Sequence, residues 1–276
     1  MTQPLGEVRS RFRDEALQRG ISPRDVDLLL SDLLGRSLSW IISHSDDPFD
    51  DAPLKPLLER RFSGEPIQYI RGRTEFFSRE FLVDDRVLIP RPETEILVET
   101  VLARSPQNAR IIDIGTGSGC IAISLERSRP DLRVLGVDIS IGALALANVN
   151  RRRLESNVRL AASNLLTAID GEVDIIVSNP PYIAAGEIAA LAPEVRLFEP
   201  RLALTSGPTG LEIIQRILSQ SRSRLPKHGL VMLEMGYGQR DHVREIAERE
   251  TFHVDEVLPD LAGIDRVVVL SRRGSD

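Results

Sequence analysis

The sequence predicts an α/β protein whose core is a doubly wound, mostly parallel sheet with an antiparallel C-terminal strand, preceded by a small helical N-terminal domain. Three observations carry that prediction. Short β-branched runs alternate with amphipathic stretches from about residue 110 onward. The first of these runs, Arg110-Ile111-Ile112-Asp113-Ile114, breaks into the glycine-rich turn Gly115-Thr116-Gly117-Ser118-Gly119. Before Gly72, by contrast, apolar residues recur at helical spacing.

In the helical section, Val8, Phe12, Ala16 and Leu17 form one apolar face and Gly20 can stop that helix. Ser22-Pro23 offers an N-cap and first helical position to the next, whose face is Val26, Leu29, Leu30, Leu33 and Leu34. Leu38, Trp40, Ile41 and Ile42 continue the cluster, and Pro53 to Phe62 supplies a further helix with Leu54, Leu57, Leu58 and Phe62 inward. From Glu75 to Pro90 the pattern changes, and two apolar runs flanking Asp84-Asp85 predict a hairpin. Pro92, Glu93 and Glu95 then make a helix start, with the helix running to about Arg104. Strands are expected near 110–114, 133–137, 158–161, 173–178 and 229–235, and helices near 119–129, 141–154, 209–225 and 238–250. Phe252 to Leu258 and Arg266 to Leu270 have no helix between them, which predicts the antiparallel excursion. The expected domains are 1–73, helical; 74–90, a β-hairpin linker; and 91–276, the α/β domain.

The composition excludes several classes. The chain has 276 residues, 42% of them hydrophobic and 28% charged, an ordinary globular balance with room for a sizeable core. With 35 basic and 41 acidic residues the net charge is −6, so the broad basic surface of a general nucleic-acid binder is not expected. Cys120 is the single cysteine, which rules out an intrachain disulfide and a multi-cysteine metal site and suits a reducing compartment. The histidines, His44, His228, His242 and His253, lack ligand spacing, so no metal is expected. No stretch approaches the roughly 18 apolar residues of a membrane span, and a cytoplasmic location is expected.

Two constellations carry chemistry. In the first, glycines let the backbone turn tightly against a ligand while the following helix start offers free N–H groups. The alternation Gly115, Gly117, Gly119 departs from the dinucleotide fingerprint, whose last glycine would fall at Cys120. An acid, Asp113, stands just ahead of the loop, and the second strand ends in Asp138, where a carboxylate can accept both hydroxyls of a ribose. Ser163-Asn164-Leu165, after the third strand, places an amide and an apolar residue where they can bracket a nucleobase. In the second constellation, the buried strand Val173 to Ser178 stops on Asn179-Pro180-Pro181-Tyr182. Asn-Pro-Pro alone is a turn signal. At a strand's carboxyl end, however, Pro180 and Pro181 also hold the carboxamide, the carbonyls and the ring in fixed relation.

Together these features resemble the class I methyltransferases that use S-adenosylmethionine. Asn179-Pro180-Pro181-Tyr182 is similar to the tetrad of those that methylate planar nitrogens. Ser63 to Tyr69, Leu88 to Glu95, Phe198-Glu199-Pro200 and Asp260 to Arg266 resemble segments of the release factor glutamine methyltransferases, the HemK family, over nearly the whole chain.

The resemblance implies S-adenosylmethionine as methyl donor, S-adenosylhomocysteine as product and no metal. Asp113, Gly115, Thr116, Gly117, Ser118, Gly119, Asp138, Asn164, Leu165 and Asn179 would bind the cofactor. Asn179, Pro180, Pro181 and Tyr182 would hold the substrate amide, with Asn179, Pro180 and Tyr182 catalytic. The family usually has Asp at the place of Asn164, so a neutral oxygen replaces a carboxylate there. The implied reaction is methylation of the N5 amide of the glutamine in the Gly-Gly-Gln loop of class I peptide chain release factors. Residues 1–73 would dock that protein, with Phe76 or Phe77 near the cofactor and Ile89-Pro90-Arg91-Pro92 at the substrate entrance. A ribosomal-protein glutamine, an adenine N6 in nucleic acid, or a non-catalytic nucleoside-binding role are the other readings. The acidic balance argues against nucleic acid, and an intact tetrad argues against mere binding.

Overall fold

The computed structural model describes residues 2–272; the outermost residues of the two predicted domains, 1 and 273–276, lie outside the described residues. The chain divides into two compact units, Met1–Gly72 with Pro193–Phe198, and Arg73–Ala192 with Glu199–Asp276.

In the smaller unit, helices Leu5–Gln18, Pro23–Leu34, Leu38–Ser43, Lys55–Phe62 and Ile67–Arg71 enclose a core that includes Val8, Phe12, Val26, Leu29, Leu30, Leu54 and Leu58. Ser22 caps the second helix by accepting the Arg24 N–H, Pro23 follows as its first residue, and Gly35 ends it with a left-handed backbone, φ 61°. Val8, Phe12 and Ala16 recur every four residues and are buried, whereas Leu17, one position off that stripe, is 66% exposed, contrary to its predicted place on the face. Leu33, Leu38 and Ile42 are exposed as well. Asp25 and Asp27 are buried, and arginine forks satisfy them: Arg61 donates to Asp25 at 2.7 Å, and Arg9 (2.8 Å) and Arg13 donate to Asp27.

The larger unit is built on a sheet of seven strands among the described residues. They are β1 (Arg110–Ile114), β2 (Arg133–Asp138), β3 (Arg159–Ala162), β4 (Ile175–Ser178), β5 (Leu230–Glu234), β6 (Phe252–Pro259) and β7 (Asp265–Arg272). Their order is β6-β7-β5-β4-β1-β2-β3; β7 alone runs antiparallel to its neighbours β5 and β6. Side chains alternate between two buried faces. Ile112, Ile114, Ile176, Val231 and Leu233 pack on one side against helices α4 (Glu212–Ser221) and α5 (Arg240–Arg249). Ile111, Ile175, Val177 and Met232 pack on the other against α1 (Thr94–Arg104) and α2 (Cys120–Ser128). Burial on both faces is why the strands read as continuous apolar runs. A fifth helix, α3 (Ile141–Arg153), connects β2 to β3. Among the described residues no helix is long and apolar enough to cross a membrane.

The hairpin lies earlier than predicted. Arg73–Phe76 pairs with Arg79–Leu82, and the turn is Phe77-Ser78, with Asp84-Asp85 beyond it. Both turn residues have left-handed backbones (φ 49° and 57°), the geometry of a two-residue hairpin that Asn-Gly normally announces. Here Phe76 and Phe81 hold the register instead, fully buried and edge-to-face at 6.1 Å. The Leu82 N–H donates to Asn150 Oδ1 on α3 (2.8 Å), while Asn150 Nδ2 donates to the carbonyls of Leu82 and Ser118, both at 2.9 Å.

Candidate active site

Strand register assembles the site. Ile114 pairs with Val137 on one side and with Ser178 on the other, so the next residues, Gly115, Asp138 and Asn179, emerge together at the carboxyl end of the sheet. Between β1 and β4 the connections depart in opposite directions, the crevice where open α/β sheets hold ligands. Ser178 Oγ donates to the Ile114 carbonyl at 2.7 Å and fastens the two strands there.

Gly115, Gly117 and Gly119 all have left-handed backbones, with φ of 71°, 55° and 83°. Side chains rarely tolerate that conformation, which is why the loop alternates glycines. The loop lies close on β2: Gly115 and Thr116 N–H groups donate to the Val137 carbonyl at 2.8 and 3.0 Å. A Cβ on Gly136 of β2 would stand 2.7 Å from Thr116 Oγ1, so this strand position must also be small. Asp138 accepts the Gly117 N–H on Oδ2 (2.9 Å) and the Ser140 N–H on Oδ1 (2.8 Å). Each carboxylate oxygen keeps lone-pair capacity for a further donor. Burial raises the Asp138 pKa above the ordinary value, against those two N–H groups.

A cavity of about 260 Å³ opens here. Of the predicted residues, Gly115, Thr116, Gly117, Ser118, Asp138, Asn164, Leu165, Asn179, Pro180 and Pro181 line it. Asp113, Gly119 and Tyr182 do not. Asp113 is wholly buried beneath the loop, where its Oδ2 accepts the Thr116 hydroxyl (2.6 Å) and the Ala122 N–H (3.3 Å), and Oδ1 has no partner. Gly119 begins α2, packed near Ile123 and Ala147. Tyr182 directs its hydroxyl to Glu234 at 3.4 Å. Its carbonyl accepts from Gln239 Nε2 at 2.9 Å, and Gly236 leaves room for its ring.

Leu88, Pro90 and Arg91 line the cavity, but Phe76 and Phe77 do not, against the expectation that one of them would: Phe76 is core, and the Phe77 N–H donates to Glu95. Arg91 donates to the buried Glu199 at 2.5 Å, joining two of the sequence segments quoted above. At the far wall Arg216 Nη2 donates to Asn164 Oδ1 at 2.9 Å, a partner no sequence motif disclosed. Also missed were Thr94 and Glu234. Glu234 follows Leu233, the partner of Ser178, so it ends β5 beside Asn179. Among the described residues there is no cluster of three or more His, Cys, Asp or Glu that could hold a metal ion.

Burial pushes Asp113 and Glu234 each up to about 7, despite hydrogen bonds that oppose it. Their folded pKa values exceed the unfolded ones, so between the two values the folded chain binds protons the unfolded chain has released, and stability falls as pH rises through that window. Between pH 8 and 6 the ligand-free protein should gain about 1 kcal/mol from each group. Urea midpoints measured across that range should rise toward pH 6, with a shallower slope in Asp113→Asn. Midpoints that fall toward pH 6 would contradict the assignment.

Comparison with known proteins bears on the whole chain. Residues 5–72 match the PrmC N-terminal domain family and residues 92–207 the methyltransferase small domain family. A release factor glutamine methyltransferase from Koribacter versatilis is 42% identical over 256 residues, 90% of this chain and 91% of that one. Its counterpart from Salmonella typhimurium is 39% identical over 95% of both chains. A Pyrococcus furiosus methyltransferase structure, only 18% identical, superposes with a TM-score of 0.57 over 82% of this chain and 100% of its own, which speaks to the fold alone.

Proposed function

The chain belongs to the release factor glutamine methyltransferase family, and from that premise we propose that it transfers a methyl group from S-adenosylmethionine to the N5 amide of the Gly-Gly-Gln glutamine in class I peptide chain release factors. The observation that carries this reading is the convergence of Asn179 and Pro180 with the glycine loop and Asp138 around one cavity.

The residues present fit the adenosyl donor. Asp138 offers acceptor capacity suited to two ribose hydroxyls, and Gly115 leaves open space where a side chain would intrude. Gly115 to Ser118 would frame the methionine end, shaped from beneath by Asp113 and Gly119, with Asn164 and Leu165 at the adenine. Asn164 Oδ1 already accepts from Arg216, and its second lone pair can take an amino hydrogen. When bound, S-adenosylmethionine supplies an electrophilic methyl on positively charged sulfur and leaves as S-adenosylhomocysteine.

The protein's task is the nucleophile. A glutamine amide nitrogen is weak because its lone pair is delocalised into the carbonyl. Asn179 Oδ1 and the Pro180 carbonyl each accept one of its N–H groups, which orients the lone pair and stabilises positive charge developing on nitrogen. Pro181 stiffens the turn. Tyr182, which does not line the cavity, braces this turn through Glu234 and Gln239 instead of covering the amide face. Once cationic, the nitrogen releases its proton to solvent. Fixing the geometry contributes roughly 7–11 kcal/mol and a preorganised polar partner a few more.

Residues 1–73 form the docking domain for the release factor, 74–90 the linker and 91–276 the methyltransferase domain, in a cytoplasmic protein that does not bind nucleic acid directly. The net charge of −6 supports a protein substrate over a polyphosphate one. Incubation with S-adenosylmethionine and a release factor, followed by peptide mass analysis, should add one methyl to the loop glutamine and none after its replacement. Methyl transfer to a ribosomal protein or adenine instead would overturn the substrate assignment. Asp138→Ala should weaken cofactor binding about 10–100-fold, because it removes charged acceptors each worth roughly 1.5–3 kcal/mol and releases Gly117. Calorimetric titration with S-adenosylmethionine reads this directly, and unchanged affinity would remove Asp138 from the site.

A further inference from the structure

We propose that Thr94 and Glu234 are positioning residues that fix which end of the Asn179 carboxamide faces the substrate. This inference rests on the reading that Asn179 accepts a substrate N–H. Three groups form a directed relay. Thr94 Oγ1 donates to Glu234 Oε2 at 2.6 Å, and Asn179 Nδ2 donates to Thr94 Oγ1 at 3.0 Å. The Tyr182 hydroxyl donates to the second oxygen, Oε1, at 3.4 Å. Thr94 and Glu234 are both buried, Thr94 at the cavity wall and Glu234 outside the cavity lining.

The direction follows from elementary hydrogen-bond chemistry. An ionised carboxylate only accepts. The single hydroxyl proton of Thr94 is therefore committed to Glu234, and its oxygen can offer nothing but lone pairs to Asn179. Asn179 must answer with its NH2 group, which leaves Oδ1 for the cavity that Asn179 lines. A carboxamide is nearly symmetric in shape, so neither packing nor size distinguishes its two ends. Turned over, it would present NH2 to the NH2 of a substrate glutamine, two donors facing each other. The relay makes that orientation costly before substrate arrives.

The relay depends on the charge of Glu234. Burial raises this group to about 7, aided by Glu93 and opposed by Thr94, Arg266 and Tyr182. Arg91 and Arg266 also act on Tyr182, whose own pKa is raised chiefly by burial and then by Glu234. Once protonated, Glu234 can donate to Thr94 Oγ1, which frees the Thr94 proton to donate to Asn179 Oδ1. The amide then turns its NH2 toward the substrate, and turnover declines below about pH 7.

Steady-state kinetics on the full chain with S-adenosylmethionine and release factor tests this with Thr94→Val, Thr94→Ser and Glu234→Gln. Thr94→Val, which keeps the shape and removes the hydroxyl, should lower kcat about 10–100-fold with KM nearly unchanged. Thr94→Ser should restore most of that loss, and Glu234→Gln should flatten the acid limb of the pH profile. Equal impairment in Thr94→Ser and Thr94→Val would show packing and overturn the proposal. So would an acid limb unchanged by Glu234→Gln in an Asp113→Asn background, which removes the other group raised to about 7.

A second measurement needs no turnover. In the wild-type protein, the ¹⁵N side-chain amide signals of Asn179 should shift as Glu234 titrates and should cease to do so in Glu234→Gln. A static Asn179 signal in the wild type overturns the relay whatever the substrate. Failure of the wild type to methylate any release factor, with the Asn179 titration intact, would instead refute the proposed function and leave the relay standing.

Discussion

Asn179→Ala should lower methylation of the release factor by about 10²–10³-fold, the loss expected when one preorganised polar contact to a developing charge is removed. Affinity for S-adenosylmethionine should stay largely unchanged. The split arises because Asn179 is one wall among many for the cofactor but supplies one of only two proposed acceptors for the substrate amide. Removing it also leaves the Thr94 oxygen without its donor, so the pocket loses its polarity and not merely one contact. Single-turnover rates at saturating cofactor, beside equilibrium cofactor binding, separate the two effects. Near-normal turnover would dispose of the mechanism.

Gly210→Ala should destabilise the protein by about 2–5 kcal/mol and depress turnover as well. Gly210 has φ of +78°, and a Cβ there would lie 2.3 Å from the Tyr182 carbonyl oxygen and 2.9 Å from the Ala184 nitrogen. An L-residue in a left-handed backbone costs about 1–2 kcal/mol, and overpacking adds typically 1–3 kcal/mol. What the methyl strikes is backbone, so relief requires movement of the segment just after Pro180-Pro181, not rotation of a flexible side chain. Gln239 Nε2 donates to that same carbonyl, so the displacement also breaks a hydrogen bond. Urea denaturation and kcat on the same preparation report both consequences. Stability within about 0.5 kcal/mol of wild type, the range of an ordinary surface substitution, would mean that the Gly210 approach is not needed.

The sheet was legible because its central strands are buried on both sides and therefore run as unbroken apolar, largely β-branched stretches, such as Ile175 to Val177. The glycine loop and the tetrad were legible for a related reason: each follows such a strand directly, so sequence adjacency stands in for spatial adjacency. Thr94 and Glu234 had no such signal. They lie 140 residues apart and meet because α1 packs against β5, while the pairing of β5 with β4 sets Glu234 beside Asn179, and neither local pattern encodes this. Arg216 at Asn164 belongs to the same class. The hairpin was misplaced because Asp84-Asp85 has turn chemistry and Phe77-Ser78 has little; tertiary burial of Phe76 and Phe81 overrode local preference. Pro193–Phe198 and Arg201–Leu204 are too short to show a helical period at all.

Asn150 has a wider consequence. Its carboxamide serves the hairpin through both polar groups of Leu82 and the glycine loop through the Ser118 carbonyl, with no water between them to absorb a shift. The two segments are thereby joined through one side chain. If filling the loop narrows its motions, part of that ordering extends to the hairpin's second strand, and a molecule that steadies the hairpin must alter affinity at the loop by the same factor. Substitutions around Leu82, outside the cavity, would then register first as altered donor affinity, and the hairpin would act as a remote adjustment of the cofactor loop.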